Sequence, residues 1–212
     1  DIKDIIFNNP SDLLNQTKFT QLAIFCASIS IFEVFKDEID IQILEINNMM
    51  GHSLGEYTAL TASNRLSIED CSTLLKNRGE LMQNAFEPNK SGMAAIIGLN
   101  CNSVETIIKA NNLNIEIAND NSPMQVVVSG IKSELLKSEI FFKENGAKRF
   151  LMLNVSAAFH SILMSDSEKE MKKMILDTKF NDSDISIISN YSANIFINND
   201  LIIDNLTKQM SQ

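Results

Sequence analysis

Residues 51–62 read GHSLGEYTALTA, and Gly51-His52-Ser53-Leu54-Gly55 fits the pattern G-x-S-x-G. In that pattern a serine sits on a sharp strand-to-helix turn, and small residues two before and two after it relieve backbone crowding. The helix N-terminus then places free N–H groups and the positive end of its dipole beside the hydroxyl. Apolar stretches at Ile41 to Ile46 and Asn48 to Met50 predict strand upstream, and Thr58-Ala59-Leu60-Thr61-Ala62 reads as helix downstream. A strand running through such a turn into a helix predicts an α/β fold. Asn47-Asn48, just before the turn, is more polar than a buried strand should be.

A serine at this turn is a candidate nucleophile, with the Leu54 N–H as one oxyanion donor. It needs a base. The chain has two histidines, His52 and His160. The His52 side chain should point away from Ser53 across the turn and reads as packed or locally hydrogen-bonded. That leaves His160, in VSAAFHS (155–161), with a core or surface histidine as the alternative. Ser67-Ile68-Glu69-Asp70 reads as a capping box that opens a helix with the stripe Ile68, Cys71, Leu74, Leu75, Leu81, Met82 and Ala85. Arg78 falls on that stripe, and an arginine on a buried face must find a carboxylate or a ligand anion.

Outward from the turn, Thr17 to about Lys36 reads as a helix with almost no polar face, hence buried. Beyond residue 90 the expected order is strand Met93 to Leu99, helix Ser103 to Ala110, strand Asn114 to Ala118 and a turn at Asn121-Ser122-Pro123. Strand Gln125 to Ser129, helix Lys132 to Asn145 and strand Lys148 to Val155 follow. That β-α-β-β-α-β order is the ferredoxin-like arrangement. A small inserted subdomain is expected at 90–155, with 1–89 and 156–212 forming a larger α/β subdomain. Helix near Ser165, strand at Ile185 to Ser189 and helix around Leu201 to Met210 complete the reading.

The 212 residues suffice for one large domain or a domain with an insertion, and at that length about 70% of the unfolded chain's surface is buried. With 44% hydrophobic and 21% charged residues the chain is globular rather than disordered. A net charge of -9 argues against nucleic acid and anionic membrane as partners. Three cysteines without a CxxC pair fit a reducing cytosol, so a cytoplasmic protein is expected. No uninterrupted apolar run is read as long enough to span a bilayer.

Five blocks, GHSLGEYTAL (51–60), NRGELMQ (77–83), GMAAIIGL (92–99), ANDNSPMQVVVSG (118–130) and VSAAFHSILM (155–164), resemble malonyl-CoA:acyl carrier protein transacylase. The related acyltransferase domains of polyketide and fatty acid synthases share them, and the resemblance covers nearly the whole chain. It implies an α/β-hydrolase-like core with an inserted ferredoxin-like subdomain. It further implies that Ser53 accepts the acyl group, that His160 is the general base and that Arg78 pairs with the free carboxylate of malonate. Gln209 matches a glutamine that orients the histidine, and Asn121 lies in a motif that approaches the pocket. Leu54, Ala158 and Phe159 are similar to the malonyl-selective pattern.

The reaction implied is ping-pong transfer of malonyl from malonyl-CoA to the phosphopantetheine thiol of acyl carrier protein through a malonyl-serine ester, with no metal or redox cofactor. A monomer is expected. An acidic carrier would need a local basic patch, for which Lys143, Lys148, Arg149, Lys172 and Lys173 are candidates. The family opens with a strand and a Gly-Gln-Gly-Ser-Gln loop that donates a second oxyanion N–H. Nothing here matches them, which implies missing residues. A serine esterase or thioesterase, and a non-catalytic module binding acyl-CoA or carrier protein, are the alternative readings.

Overall fold

The computed structural model describes residues 1–39, 45–87, 90–155 and 157–212. The strand expected over 41–46 falls mostly on 41–44, outside the described residues. In chain order the elements begin with α1 (Ile2–Asn8), a 3-10 stretch (Pro10–Asn15), α2 (Thr17–Glu38), β1 (Asn48–Met50), α3 (Leu54–Ala62) and α4 (Ile68–Asn84). Next come β2 (Ser91–Ile97), α5 (Cys101–Ala110), β3 (Ile115–Ser122), β4 (Gln125–Ile131), α6 (Lys132–Glu144) and β5 (Arg149–Met152). A second 3-10 stretch (Ile162–Met164), α7 (Ser165–Leu176), β6 (Ser186–Ile188), β7 (Ile195–Phe196) and α8 (Asn199–Lys208) follow. The fold is mixed α/β with two sheets. Two compact units emerge, Asp1–Leu81 with Glu168–Gln209, and Met82–Ser167 with Met210–Gln212.

In the first unit the sheet order is β1-β6-β7, with β1 parallel and β7 antiparallel to the central β6. Ile187 is buried at its centre, whereas Asn48 and Met50 on β1 are exposed. Among the described residues β1 is an edge strand of this sheet, and polar Asn48 is exposed there. The Ser67 cap forms as expected: Ser67 Oγ accepts from the Asp70 N–H at 2.9 Å and donates to the Asp70 carboxylate at 2.8 Å. On the α4 stripe Cys71, Leu74, Leu75, Arg78 and Met82 are buried, while Ile68, in the first turn, is exposed. Buried Arg65 ties the entrance of β6 to α8: it donates to the Ser183 and Ile185 carbonyls at 2.8 and 2.9 Å and to Asn199 at 2.6 Å.

Helix α2 departs from the burial expected of it. Gln21, Ala23, Phe25 and Ile29 are buried, but Ile31 and Val34 are 70% and 61% exposed, and Ile24 and Phe35 are also exposed. A helix apolar on every side carries no periodic sign of which side packs, so periodicity overstated its burial. Contrary to the sequence reading, α2 is long and apolar enough, by length and composition alone, to cross a membrane. Its N-terminal half, however, packs within the unit. A Cβ on Gly79 of α4 would lie 2.8 Å from the Lys18 Cα, so only glycine lets these two backbones approach so closely.

The second unit contains the β-α-β-β-α-β order expected between residues 90 and 155. Its sheet runs β3-β4-β2-β5, with every neighbouring pair antiparallel. Ala94 and Ile96 on β2 and Val126 and Val128 on β4 alternate onto one face, where Val104 and Ile107 of α5 and Leu135 and Phe142 of α6 cover them. Helix α5 starts at Cys101 rather than Ser103 because Asn100 caps it, its side chain accepting the Ser103 N–H at 2.9 Å. Strand β3 continues to Ser122, so the turn expected at 121–123 moves to Pro123–Met124. Two register shifts against β4, between Ile117 and Asn119 and between Asp120 and Ser122, let the strand absorb Ala118 and Asn121 as bulges.

Candidate active site

Ser53 links β1 to α3 with φ 52° and ψ −108°, a conformation that L-residues rarely adopt and that costs roughly 1–3 kcal/mol. Gly51 makes the turn possible, since a Cβ there would lie 2.1 Å from the carbonyl carbon and oxygen of Gly55. Gly55 does not share that burden: a Cβ on it would meet nothing within 4 Å. The expectation that both flanking small residues relieve crowding therefore holds for Gly51 alone. The Ser53 N–H donates to Asn190 Oδ1 at 2.8 Å. Asn190 sits in a loop folded by Ser189, whose Oγ accepts the N–H groups of Tyr191 and Ser192. Leu54 is the first residue of α3, so its N–H has no partner within the helix. His52 is exposed rather than packed and lines, with Ile24, Phe32, Met49 and Met50, a groove of about 720 Å³.

Arg78 reaches the nucleophile from α4. Arg78 as a whole is 1% exposed, and its Nη2 donates to Ser53 Oγ at 3.1 Å and to Gln209 Oε1 at 3.0 Å. Nη1 donates to Gln21 Oε1 at 2.6 Å, and Cζ lies 5.5 Å from the centre of the Tyr57 ring. These acceptors are two carboxamides and a hydroxyl, all uncharged. Burial lowers the Arg78 pKa from its ordinary value, while Tyr57 and Glu56 oppose the shift. Gln209 is buried, and its Nε2 donates to the Ser53 carbonyl at 3.0 Å and to Glu56 Oε2 at 2.6 Å. Glu56 is fully buried, and burial pushes its carboxyl up to about 7 against the Gln209 bond, the Asn190 backbone and Arg78.

The first unit thus brings Ser53, Arg78 and Gln209 together. His160, Phe159 and Asn121 belong to the second unit. His160 is buried and has φ 53°, another left-handed non-glycine residue. Its segment is pinned on both sides: the Ala158 N–H donates to Ser91 Oγ at 3.1 Å, Ser161 Oγ to the Ala158 carbonyl at 2.8 Å, and the Ile162 N–H to Glu116 at 2.9 Å. Phe159 is buried, and Asn121 is exposed on its bulge. The five basic candidates are all exposed, and Lys143 and Lys173 pair with Glu139 and Glu170 on their own helices.

Sequence reasoning missed Gln21, Glu56 and Asn190. Gln21 falls on the buried face of α2 with Phe25 and Ile29 at steps of four, the one polar residue of that stripe. Glu56 lies one turn before Leu60, which is fully buried. Both spacings were readable; Asn190 gave no local signal.

The family described as "Acyl transferase domain" matches residues 1–201. The chain belongs to this acyl transferase family. Among members, the malonyl CoA-acyl carrier protein transacylase of Bacillus subtilis is 33% identical over 99% of this chain and 66% of its own length. The crystal structure of the acyl-carrier-protein S-malonyltransferase from Bartonella henselae superposes with a TM-score of 0.92 at 34% identity, over 99% of this chain and 68% of that one. A malonyl-transacylase in complex with a type II polyketide synthase acyl-carrier protein gives a TM-score of 0.91 at 29% identity, over 100% and 68%. The chain therefore spans about two thirds of the length of the relatives it matches.

Proposed function

We propose that this acyl transferase moves a malonyl group from malonyl-CoA to the phosphopantetheine thiol of an acyl carrier protein. His160 takes the Ser53 proton as Oγ attacks the thioester carbonyl, the Leu54 N–H stabilises the developing oxyanion, and CoA leaves as the thiol. The carrier thiol then gives its proton to His160 and attacks the malonyl-Ser53 ester, regenerating the hydroxyl. Gln209 orients the base, while Phe159 and Asn121 approach the acyl group. The steps use no metal or redox cofactor. The architecture that accompanies this reading is an α/β-hydrolase-like core of 1–89 and 156–212 with a ferredoxin-like insertion at 90–155, acting as a cytoplasmic monomer.

The observation that carries the proposal is the buried Arg78 guanidinium with Nη2 3.1 Å from Ser53 Oγ. An acyl chain esterified at Oγ and ending in a carboxylate would meet a planar cation that can bind it through two parallel hydrogen bonds. The names of the relatives, and the carrier protein bound in one of them, support the same substrate and partner. A plain esterase has no need of a cation there. Replacing Arg78 by Ala removes two charged hydrogen bonds to the malonyl carboxylate, so kcat/KM for malonyl-CoA should fall roughly 100-fold or more, far more than for acetyl-CoA. Equal losses with both substrates would make Arg78 a structural residue and contradict the proposal.

A further inference from the structure

Glu56 takes no part in the steps above, yet it is fully buried at the third position of α3, beneath Ser53. Its Oε2 accepts from Gln209 Nε2 at 2.6 Å, whereas Oε1 has no hydrogen-bond partner among the described residues. A glutamine carboxamide has nearly the same shape turned either way, and its neighbours decide which way it lies. Here Nε2 faces two acceptors, Glu56 Oε2 and the Ser53 carbonyl, and Oε1 faces the Arg78 guanidinium, which can only donate. Turned over, the amide would set oxygen against two oxygens and an NH2 group against a cation.

We propose that Glu56 is a positioning residue for the malonyl group: by anchoring Gln209 it holds the Arg78 guanidinium in the orientation that clamps the malonyl carboxylate beside Ser53. This rests on the malonyl-transfer reading above. The geometry asks for an acceptor at Oε2 rather than for a negative charge, because Oε2 remains an acceptor when Oε1 carries a proton. The Ser53 carbonyl is a backbone group and accepts one of the two Nε2 hydrogens, so without Glu56 the carboxamide loses one of the two acceptors that fix its direction.

Two variants separate acceptor from charge. Glu56→Gln keeps an oxygen at the same reach and removes the charge; Glu56→Asp keeps the charge and withdraws it by one methylene. Steady-state kinetics with malonyl-CoA, inhibition by acetyl-CoA as a ligand without the carboxylate, and thermal melts would be measured for both and for the parent. Glu56→Gln should keep the malonyl-CoA KM within about threefold, while Glu56→Asp raises it about tenfold and leaves the acetyl-CoA inhibition constant unchanged. A parental KM in Glu56→Asp overturns the proposal, as does an equal rise in both variants, which would make the charge or mere packing the cause. If Glu56→Asp does not fold, Gln209→Met breaks the same link from the other side and, besides lowering kcat through the base, should raise the malonyl-CoA KM about tenfold while the acetyl-CoA inhibition constant holds; an unchanged malonyl-CoA KM overturns the proposal. Failure of the parent itself to take malonyl from malonyl-CoA is a different outcome, and it sinks the transfer reading instead.

Discussion

Glu56 is a carboxyl in a place where ionisation is costly, and its titration should be visible in the stability of the protein. Burial raises its pKa from an ordinary 4.5 to about 7, so between those values the native state holds a proton that the unfolded chain has lost. The stabilisation is complete below 4.5 and is lost as pH rises through 7, on the order of 3 kcal/mol. Glu56→Gln cannot titrate, so unfolding free energies of the parent should fall relative to the variant between about pH 4.5 and pH 7 and run level with it above that. Parallel curves would mean the carboxyl titrates normally. At this same scale Ser53 and Arg78 were legible because each breaks a local pattern, one on a glycine-flanked turn and one on an apolar stripe. Asn190 was not, because it reaches the Ser53 N–H from 137 positions away and only folding makes it a neighbour.

The elbow between β1 and α3 is an element-scale device, and its two glycines are not equivalent. Gly51→Ala puts a methyl group into the Gly55 backbone and should cost about 3 kcal/mol or more, with activity lost as the turn shifts. Gly55→Ala meets open space in the first turn of α3 and should be neutral or stabilise by about 0.5–1 kcal/mol, since alanine favours helix. Equal melting shifts for the two would contradict this account of the turn. Helices with a capping residue and one apolar face, such as α4, were readable to within a residue or two. Helix α2 was readable in extent but not in burial, since a sequence apolar all round does not say which side packs. Strand β3 ran past its expected end because bulges absorb residues that break strict alternation, so the pattern stops before the strand does.

At the scale of the molecule, the β-α-β-β-α-β order of the second unit follows from the alternation of strand and helix signals between residues 90 and 155. The first unit was harder to read, because its sheet joins strands more than a hundred positions apart: Met49 pairs with Ile187. Length and charge placed the chain among globular proteins, and only the five blocks together pointed to a family. The central claim is covalent: Ser53 carries the malonyl group between two thiols. Intact mass spectrometry after brief exposure to malonyl-CoA tests it most directly, with Ser53→Ala beside the parent. The account predicts a gain of one malonyl group in the parent and none in Ser53→Ala. No gain in a folded parent, or a gain that survives in Ser53→Ala, would contradict it.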